Sequence, residues 1–263
     1  MLTYSKEHIN YLKKIKRNKR LVFLTQIIII IVFFGIWELL ANFKIINTFL
    51  YSSPSKIIDT VINLFNNRLF THISITIYEV IISFIISSIL ALFIGTILWW
   101  NKFIARVLEP YLTIINSLPK VALGPLIIIW AGASIKSIII MSLTISLFIT
   151  IINIYQAFIS TNENYITLLK SFKASKKDIL FKVVIPSNKE NIISTLKINM
   201  SMNFIGVIMG ELLVSKSGLG YLIMYGSQVF NITLVITSII ILGILSFVFY
   251  YLINYIEKKL SKR

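Results

Sequence analysis

The run from Ser137 to Asn162, SIIIMSLTISLFITIINIYQAFISTN, contains no charged residue, and its reading decides the fold class. A bilayer core takes about 20 predominantly apolar residues in a helix, so this stretch reads as a transmembrane span. The same reading repeats on both sides of it. Toward the N-terminus, Pro110 to Ile135 is interrupted only by Lys120. Val80 to Asn101 is uncharged, with its helix starting near Ile73, and Leu21 to Phe43 lies between Arg20 and Lys44 with Glu38 near its far end. Toward the C-terminus, Asn191 to Gly210 carries only Lys197, and Ser217 to Ile256 is uncharged. Ser217, Gly218, Gly220 and Gly226 crowd the start of that last stretch, which leaves the final helix at Ile232 to Ile256. The expectation is an all-α membrane protein with six transmembrane helices.

Composition agrees. The 263 residues are 57% hydrophobic and 14% charged, against about 25% charged in an average soluble domain, and mean hydropathy is +0.85. The balance of 26 Lys and Arg against 10 Asp and Glu gives a formal charge of +16. Basic residues mark cytoplasmic loops facing anionic lipid. With the N-terminus inside, the inner segments hold 19 Lys and Arg and the outer segments 5, so both termini are expected in the cytoplasm of a multi-pass plasma-membrane protein. The cluster Lys13 to Arg20 then flanks the first span and is not a nucleic-acid site. The apolar core of that span is longer than the roughly 7–15 residues of a signal peptide, and no small-x-small site follows it, so it is read as a retained helix.

Several chemistries are excluded. No glycine is followed by lysine, so no phosphate-binding G-x-x-x-x-G-K-[ST] loop exists. Cysteine is absent, and the two histidines, His8 and His72, fall on opposite membrane faces, which leaves no thiolate or histidine metal centre. Glu38, Glu79, Glu109 and Glu211 fall near span ends, within reach of water, so no paired intramembrane carboxylates are expected. Work against a gradient would need an energy source outside this chain.

The inner loop from 160 to 189 carries the most information. Leu169, Phe172, Lys176, Ile179 and Val183 recur at three- and four-residue spacing, an apolar helical stripe around one lysine stem. Lys170, Lys173 and Lys177 line another face, and Pro186 closes the segment. Two readings stand: a helix lying on anionic headgroups, or one docking into a cleft of a cytosolic partner.

Ser171-Phe172-Lys173-Ala174-Ser175, with Val184-Ile185-Pro186 after a helical stretch, resembles the EAA loop of binding-protein-dependent ABC importer permeases. Leu118-Pro119-Lys120-Val121-Ala122-Leu123-Gly124-Pro125, followed by Trp130-Ala131-Gly132, is similar to the third helix of the nitrate/sulfonate/taurine branch. Gly210-Glu211-Leu212-Leu213 with Ser217-Gly218-Leu219-Gly220-Tyr221, and Tyr51-Ser52-Ser53-Pro54-Ser55, also resemble that branch, in matching order from about residue 50 onward. The eponymous Glu-Ala-Ala is Thr167-Leu168-Leu169 here, and the family's central glycine is Lys173.

The resemblance implies a type I importer transmembrane domain. Residues 1–20 would be a basic cytoplasmic N-terminus, 21–66 a first helix and external linker, 67–256 the ABC transmembrane domain with coupling loop 160–189, and 257–263 a cytoplasmic tail. It implies a permease subunit, not an enzyme, for a small anionic or sulfonate/nitrate/taurine-like solute. Implied partners are an ABC ATPase subunit, an extracytoplasmic solute-binding protein, a second permease copy and membrane lipid. No cofactor is expected on this chain, with ATP and Mg on the ATPase. Lys170, Ser171, Phe172, Lys173, Ala174, Ser175, Lys176, Lys177, Asp178 and Ile179 would meet the ATPase. Pro119, Lys120, Gly124, Pro125 and Glu211 are assigned to the translocation path. Lys120 is either a pore-lining cation or a lysine snorkelling inward, and Lys197 reads the same two ways. Gly206 and Gly210 fit close helix packing within or between subunits. Glu211 is expected to cap the outer end of the fifth helix, and Trp99 and Trp100 to sit in an interfacial aromatic belt. The alternative is an ATP-independent secondary transporter or channel subunit.

Overall fold

The computed structural model describes residues 6–66 and 68–261. Lys262 and Arg263, counted above among the inner charges, lie outside them. The chain divides into a unit reaching to Asn63 and a unit from Leu64 onward. The first holds α1 (Lys6–Asn42), the single turn α2 (Thr48–Tyr51) and most of α3 (Pro54–Asn66). Asn47 caps α2 by accepting from the Phe49 amide. Glu38 does not simply face water: its Oε2 accepts from the Ser55 amide at 3.0 Å, at the first turn of α3.

The second unit contains α4 (Leu69–Trp100), α5 (Lys102–Ser117), α6 (Gly124–Ala131), α7 (Ile135–Ile159), α8 (Glu163–Ser171), α9 (Lys176–Ile179), α10 (Ile185–Ser187), α11 (Lys189–Val214), α12 (Leu219–Gln228) and α13 (Ile232–Ser261). Helices α1, α4, α7, α11 and α13 are long and apolar enough to cross a membrane.

The expected third span is not one helix. It starts at Lys102, where Asn101 accepts from the Phe103 and Ile104 amides, and it bends by 84° between α5 and the segment 120–131. The physical cause is Pro119. It supplies no amide, and it drives Leu118 to an extended φ −65°, ψ 145°. Lys120 to Leu123 then form a 3₁₀ turn, and Pro125 opens α6. Counted as one broken span, the pair brings the total among the described residues to six.

Helix α7 packs between α4 and α11. The contact faces invert the soluble pattern: large apolar side chains point outward, while Ser83, Ser87, Ser142, Ser146, Thr150, Asn199 and Asn203 are buried. Small and polar residues let membrane helices approach closely and bond to each other. Asn199 Nδ2 donates to Ser88 Oγ at 2.9 Å, and Thr150 Oγ1 donates to Asn199 Oδ1 at 3.0 Å. Ser142 Oγ donates to Asn203 Oδ1 at 2.8 Å, and Asn203 Nδ2 to Ser87 Oγ at 3.0 Å. Two asparagines one turn apart thus tie α11 to both neighbours. Apolar clusters flank this polar layer: Val80, Ile138, Met200, Phe204 and Val207 on one side, and Ile154, Phe158, Ile179, Leu180 and Val184 on the other.

Gly206 packs within the chain: a Cβ there would stand 2.4 Å from Ser142 Cα. Gly206→Ala should therefore force α11 off α7 and cost about 1–3 kcal/mol by overpacking. Gly243→Ala, at a helical site with nothing within 4 Å, should be neutral or stabilising by about 0.5–1 kcal/mol. Thermal unfolding in detergent would show a lowered midpoint for the first variant only.

Candidate functional site

The loop after α7 is not one amphipathic helix. Asn162 caps α8 through its side chain, and α8 stops at Ser171 because Lys173 takes φ +55°. That left-handed conformation breaks the ladder and disfavours side chains other than glycine. A new helix then starts at Ser175, whose hydroxyl accepts from the Asp178 amide while the hydroxyl proton goes to the Asp178 carboxylate. Lys182 and Ser175 hold the Asp178 carboxyl down at about 2. The Ser175-x-x-Asp178 spacing is the sequence pattern of a helix N-terminus, of which the structure forms the Ser175 side-chain cap, a signal that the longer apolar period hides. After α9 the chain continues through a π turn at Leu180–Val184 into α10, which contains Pro186.

The break distributes the expected stripe over two directions. Ile179, Leu180 and Val184 are buried against Ile154 and Phe158 of α7, with Leu169, Ala174 and Trp99 packed beside them. Phe172 is 75% exposed, and Lys170, Lys173 and Lys177 are exposed with it. Lys176 leaves the stripe. Its Nζ donates to the Trp100 carbonyl and lies 5.4 Å and 6.0 Å from the Trp100 and Trp99 ring centres. The two tryptophans therefore grip the loop as well as ending α4. One face of the loop is bolted to α4 and α7, and the other is open.

At the bend, Lys120 Nζ donates to Asn116 Oδ1 at 2.8 Å and to the Ile145 carbonyl at 3.4 Å. Both partners are neutral, so its charge meets no anion there. Pro119 precedes the lysine in the break, Gly124 is buried against Leu213 and Met141, and Pro125 opens α6. The exposed face of α6 carries Ile129 and Trp130. Lys197 donates to Asn254 Oδ1 at 3.2 Å and lies 5.9 Å from the Tyr250 ring, bonding α11 to α13.

Glu211 sits apart from the bend and does not cap its own helix. It is 1% exposed, and its Oε2 accepts from the Gly220 amide at 2.5 Å, at the N-terminus of α12. Thr76 Oγ1 donates to Glu211 Oε1 at 2.6 Å and accepts from the Leu219 amide at 2.9 Å. His72 Nδ1 accepts from the Gly218 amide at 3.0 Å, and its ring stacks on Tyr221. Three consecutive amides are thus satisfied by three side chains of α4 and α11. A helix N-terminus favours such an anion. Gly218, at φ +115°, has no room for a Cβ, which would stand 2.4 Å from the Glu211 carboxyl. Glu79 is also fully buried and lies against Glu211. Both the expected access to water and the expected absence of paired carboxylates are corrected: α4 and α11 carry these glutamates inward, not at solvated ends.

Residues 83–262 match the family described as "Binding-protein-dependent transport system inner membrane component". The formylaminopyrimidine transport permease protein ThiX of Halalkalibacterium halodurans is 30% identical over 71% of this chain and 74% of its own length. The putative aliphatic sulfonates transport permease protein SsuC of Bacillus subtilis is 24% identical, covering 93% of this chain and 89% of its own. In fold, a chain of the MetNI methionine ABC transporter in an inward-facing conformation superposes with a TM-score of 0.61 at 17% identity, over 74% of this chain and 96% of that one. The chain belongs to the inner-membrane permease family of binding-protein-dependent ABC importers, as a multi-pass transport subunit with the type I transmembrane fold.

Proposed function

We propose that this permease pairs with a second copy and lets a separate ATPase, holding ATP and Mg, drive uptake of a small anionic solute delivered by a binding protein. The observation that carries the reading is the two-sided build of the α8–α9 segment. Its buried side is fixed to α4 through Lys176 and to α7 through Ile179, Leu180 and Val184. Its open side offers Phe172 among lysines, an aromatic anchor with charges around it, a composition that suits a docking contact. A push on the open side would move α4 and α7 together, and α11 with them through the asparagine layer. ATP-dependent closure of the ATPase pair would then switch the spans between two rigid-body states. The excess of Lys and Arg on this side supports a cytoplasmic position for α8–α9 and both termini.

A path on the twofold axis is part of this reading, since closed pairing of two copies puts the shared surface on the axis. The cavity between α5 and α7, lined by Glu109, Thr113, Tyr155 and Gln156 among others, measures about 70 Å³, below the about 300 Å³ of a ligand pocket, and is not itself that path. Lys120 supports an anionic solute, since its neutral partners leave a charge that costs roughly 2.5–3.5 kcal/mol at mid-membrane. A second reading, an aminopyrimidine-like solute, is favoured by the 30% identity to ThiX.

Phe172→Asp should abolish ATP-driven uptake and recovery of the ATPase in a pull-down, while membrane insertion is unchanged. Uptake at the parental rate would refute the docking role. Lys120→Met should cut sulfonate uptake by roughly tenfold or more if the solute is an anion. Equal uptake by both proteins, with competition by an aminopyrimidine but not by a sulfonate, would favour the second reading.

A further inference from the structure

Helix α5 carries a polar stripe of which Lys120 is only the last member. Lys102, Arg106, Glu109, Thr113 and Asn116 follow one another at four- and three-residue steps, which puts them on one face of the helix. Lys120 continues the row, because its Nζ donates back to Asn116 Oδ1 at 2.8 Å. None of these side chains is buried. The other exposed face of α5 is apolar, with Phe103, Val107, Tyr111 and Ile114. A third face packs inward through Ala105 and Leu112 against Leu98 of α4 and Ile151 of α7.

A span with separate apolar and polar exposed faces meets two media. Lipid suits the first, whereas polar and ionisable side chains at membrane depth face a bundle interior or a water-filled cavity. The start of α5 is at the α8–α9 side, since Trp100 just before it accepts from Lys176 through its carbonyl. Glu109 lies about 10 Å along the helix from Lys102, and among the described residues no ion pair engages it.

Glu109 also opens onto a recess. The cavity of about 70 Å³ between α5 and α7 has Leu98, Leu112 and Ile152 as apolar walls and Glu109, Thr113, Tyr155 and Gln156 as polar lining. At about 10–15 Å³ for each water, it has room for one end of a small solute. Its polar lining favours a donor. The Thr113 hydroxyl proton is spent on the Glu109 carbonyl at 2.9 Å, so that oxygen can only accept, as can the Glu109 carboxylate beside it.

We propose that the polar stripe of α5 walls an aqueous lane from the α8–α9 side to Lys120, and that Glu109, with Thr113, Tyr155 and Gln156, receives the N–H-bearing or cationic end of the solute in the recess. The solute in this inference rests on the transport reading; the lane and its charge preference do not. Lys120 draws an anionic group and Glu109 a donor. With about 10 Å between Glu109 and Asn116, a small molecule bearing both groups meets the two stations in turn.

The chain has no cysteine, so single cysteines report access directly. The full-length permease in membrane vesicles, without ATP, is labelled with a cationic trimethylammonium and an anionic sulfonate methanethiosulfonate. A lane predicts reaction at Thr113→Cys and Asn116→Cys and none at Val107→Cys and Ile114→Cys. At Thr113→Cys the cationic reagent should react faster, and adding Glu109→Gln should lower the cation-to-anion rate ratio by roughly tenfold, the effect of one unit charge a few ångströms away across water. Should Asn116→Cys fail to insert, Thr113→Cys, a hydroxyl exchanged for a thiol, decides alone. No reaction at the polar positions, or equal reaction on both faces, would overturn the lane. A rate ratio indifferent to Glu109→Gln would overturn the recess assignment. Both readouts are taken without nucleotide or ATPase, so a failed docking reading, seen with Phe172→Asp, leaves them unmoved.

Discussion

Asn199 and Asn203 set the constraint on which the rest of the second unit depends. In a bilayer the hydrophobic effect does not distinguish one apolar helix face from another, because lipid tails are as apolar as leucine. Register among α4, α7 and α11 must come from contacts that lipid cannot replace. The two amides meet this need by bonding to Ser87 and Ser88 on one side and to Ser142, Ser146 and Thr150 on the other. Each such bond is worth only about 0.6 kcal/mol on average. Their force is in what a slip would cost, since a polar group left unpaired in hydrocarbon costs several kcal/mol. The layer therefore penalises misregistration more than it adds to net stability.

The hydrogen-bonded layer lies between two features that it connects through the same three helices. Toward one end, Lys176 and the apolar trio Ile179, Leu180 and Val184 fasten α8–α9 to α4 and α7. Toward the other, Thr76 and His72 of α4 and Glu211 of α11 hold the amides that open α12. Packed interiors are bistable more readily than they are pliable. On the proposed mechanism, a displacement of one end would reach the other through these contacts.

The spans were legible because hydropathy over about 20 residues is a one-dimensional signal. The expected fifth helix, Asn191 to Gly210, falls inside the observed Lys189–Val214, and the sixth starts at Ile232 in both readings. Pro119 is visible in the sequence as a residue that interrupts a helix, but the 84° turn is not, since a proline fixes φ and removes a donor without fixing where the next helix points. The loop misled for a different reason. Its three- and four-residue apolar period is genuine, yet Lys173 adopts a left-handed conformation that periodicity does not register, while the N-cap at Ser175 was readable. The meeting of Glu79 with Glu211 has no local signature, because it joins helices far apart in sequence. Each glutamate alone looked like a span-end residue.

The central claim is that force reaches this chain from outside, through the open face of α8–α9. The sequence contains no cysteine, so a single Lys173→Cys substitution places one spin label on each permease copy. The most direct measurement is the label-to-label distance by pulsed electron resonance in the assembled transporter, with and without ATP and Mg. Docking through α8–α9 predicts a shorter distance in the nucleotide-bound state, as the two segments move together with the closing ATPase. An unchanged distance under conditions in which the same labelled complex imports its solute would contradict it.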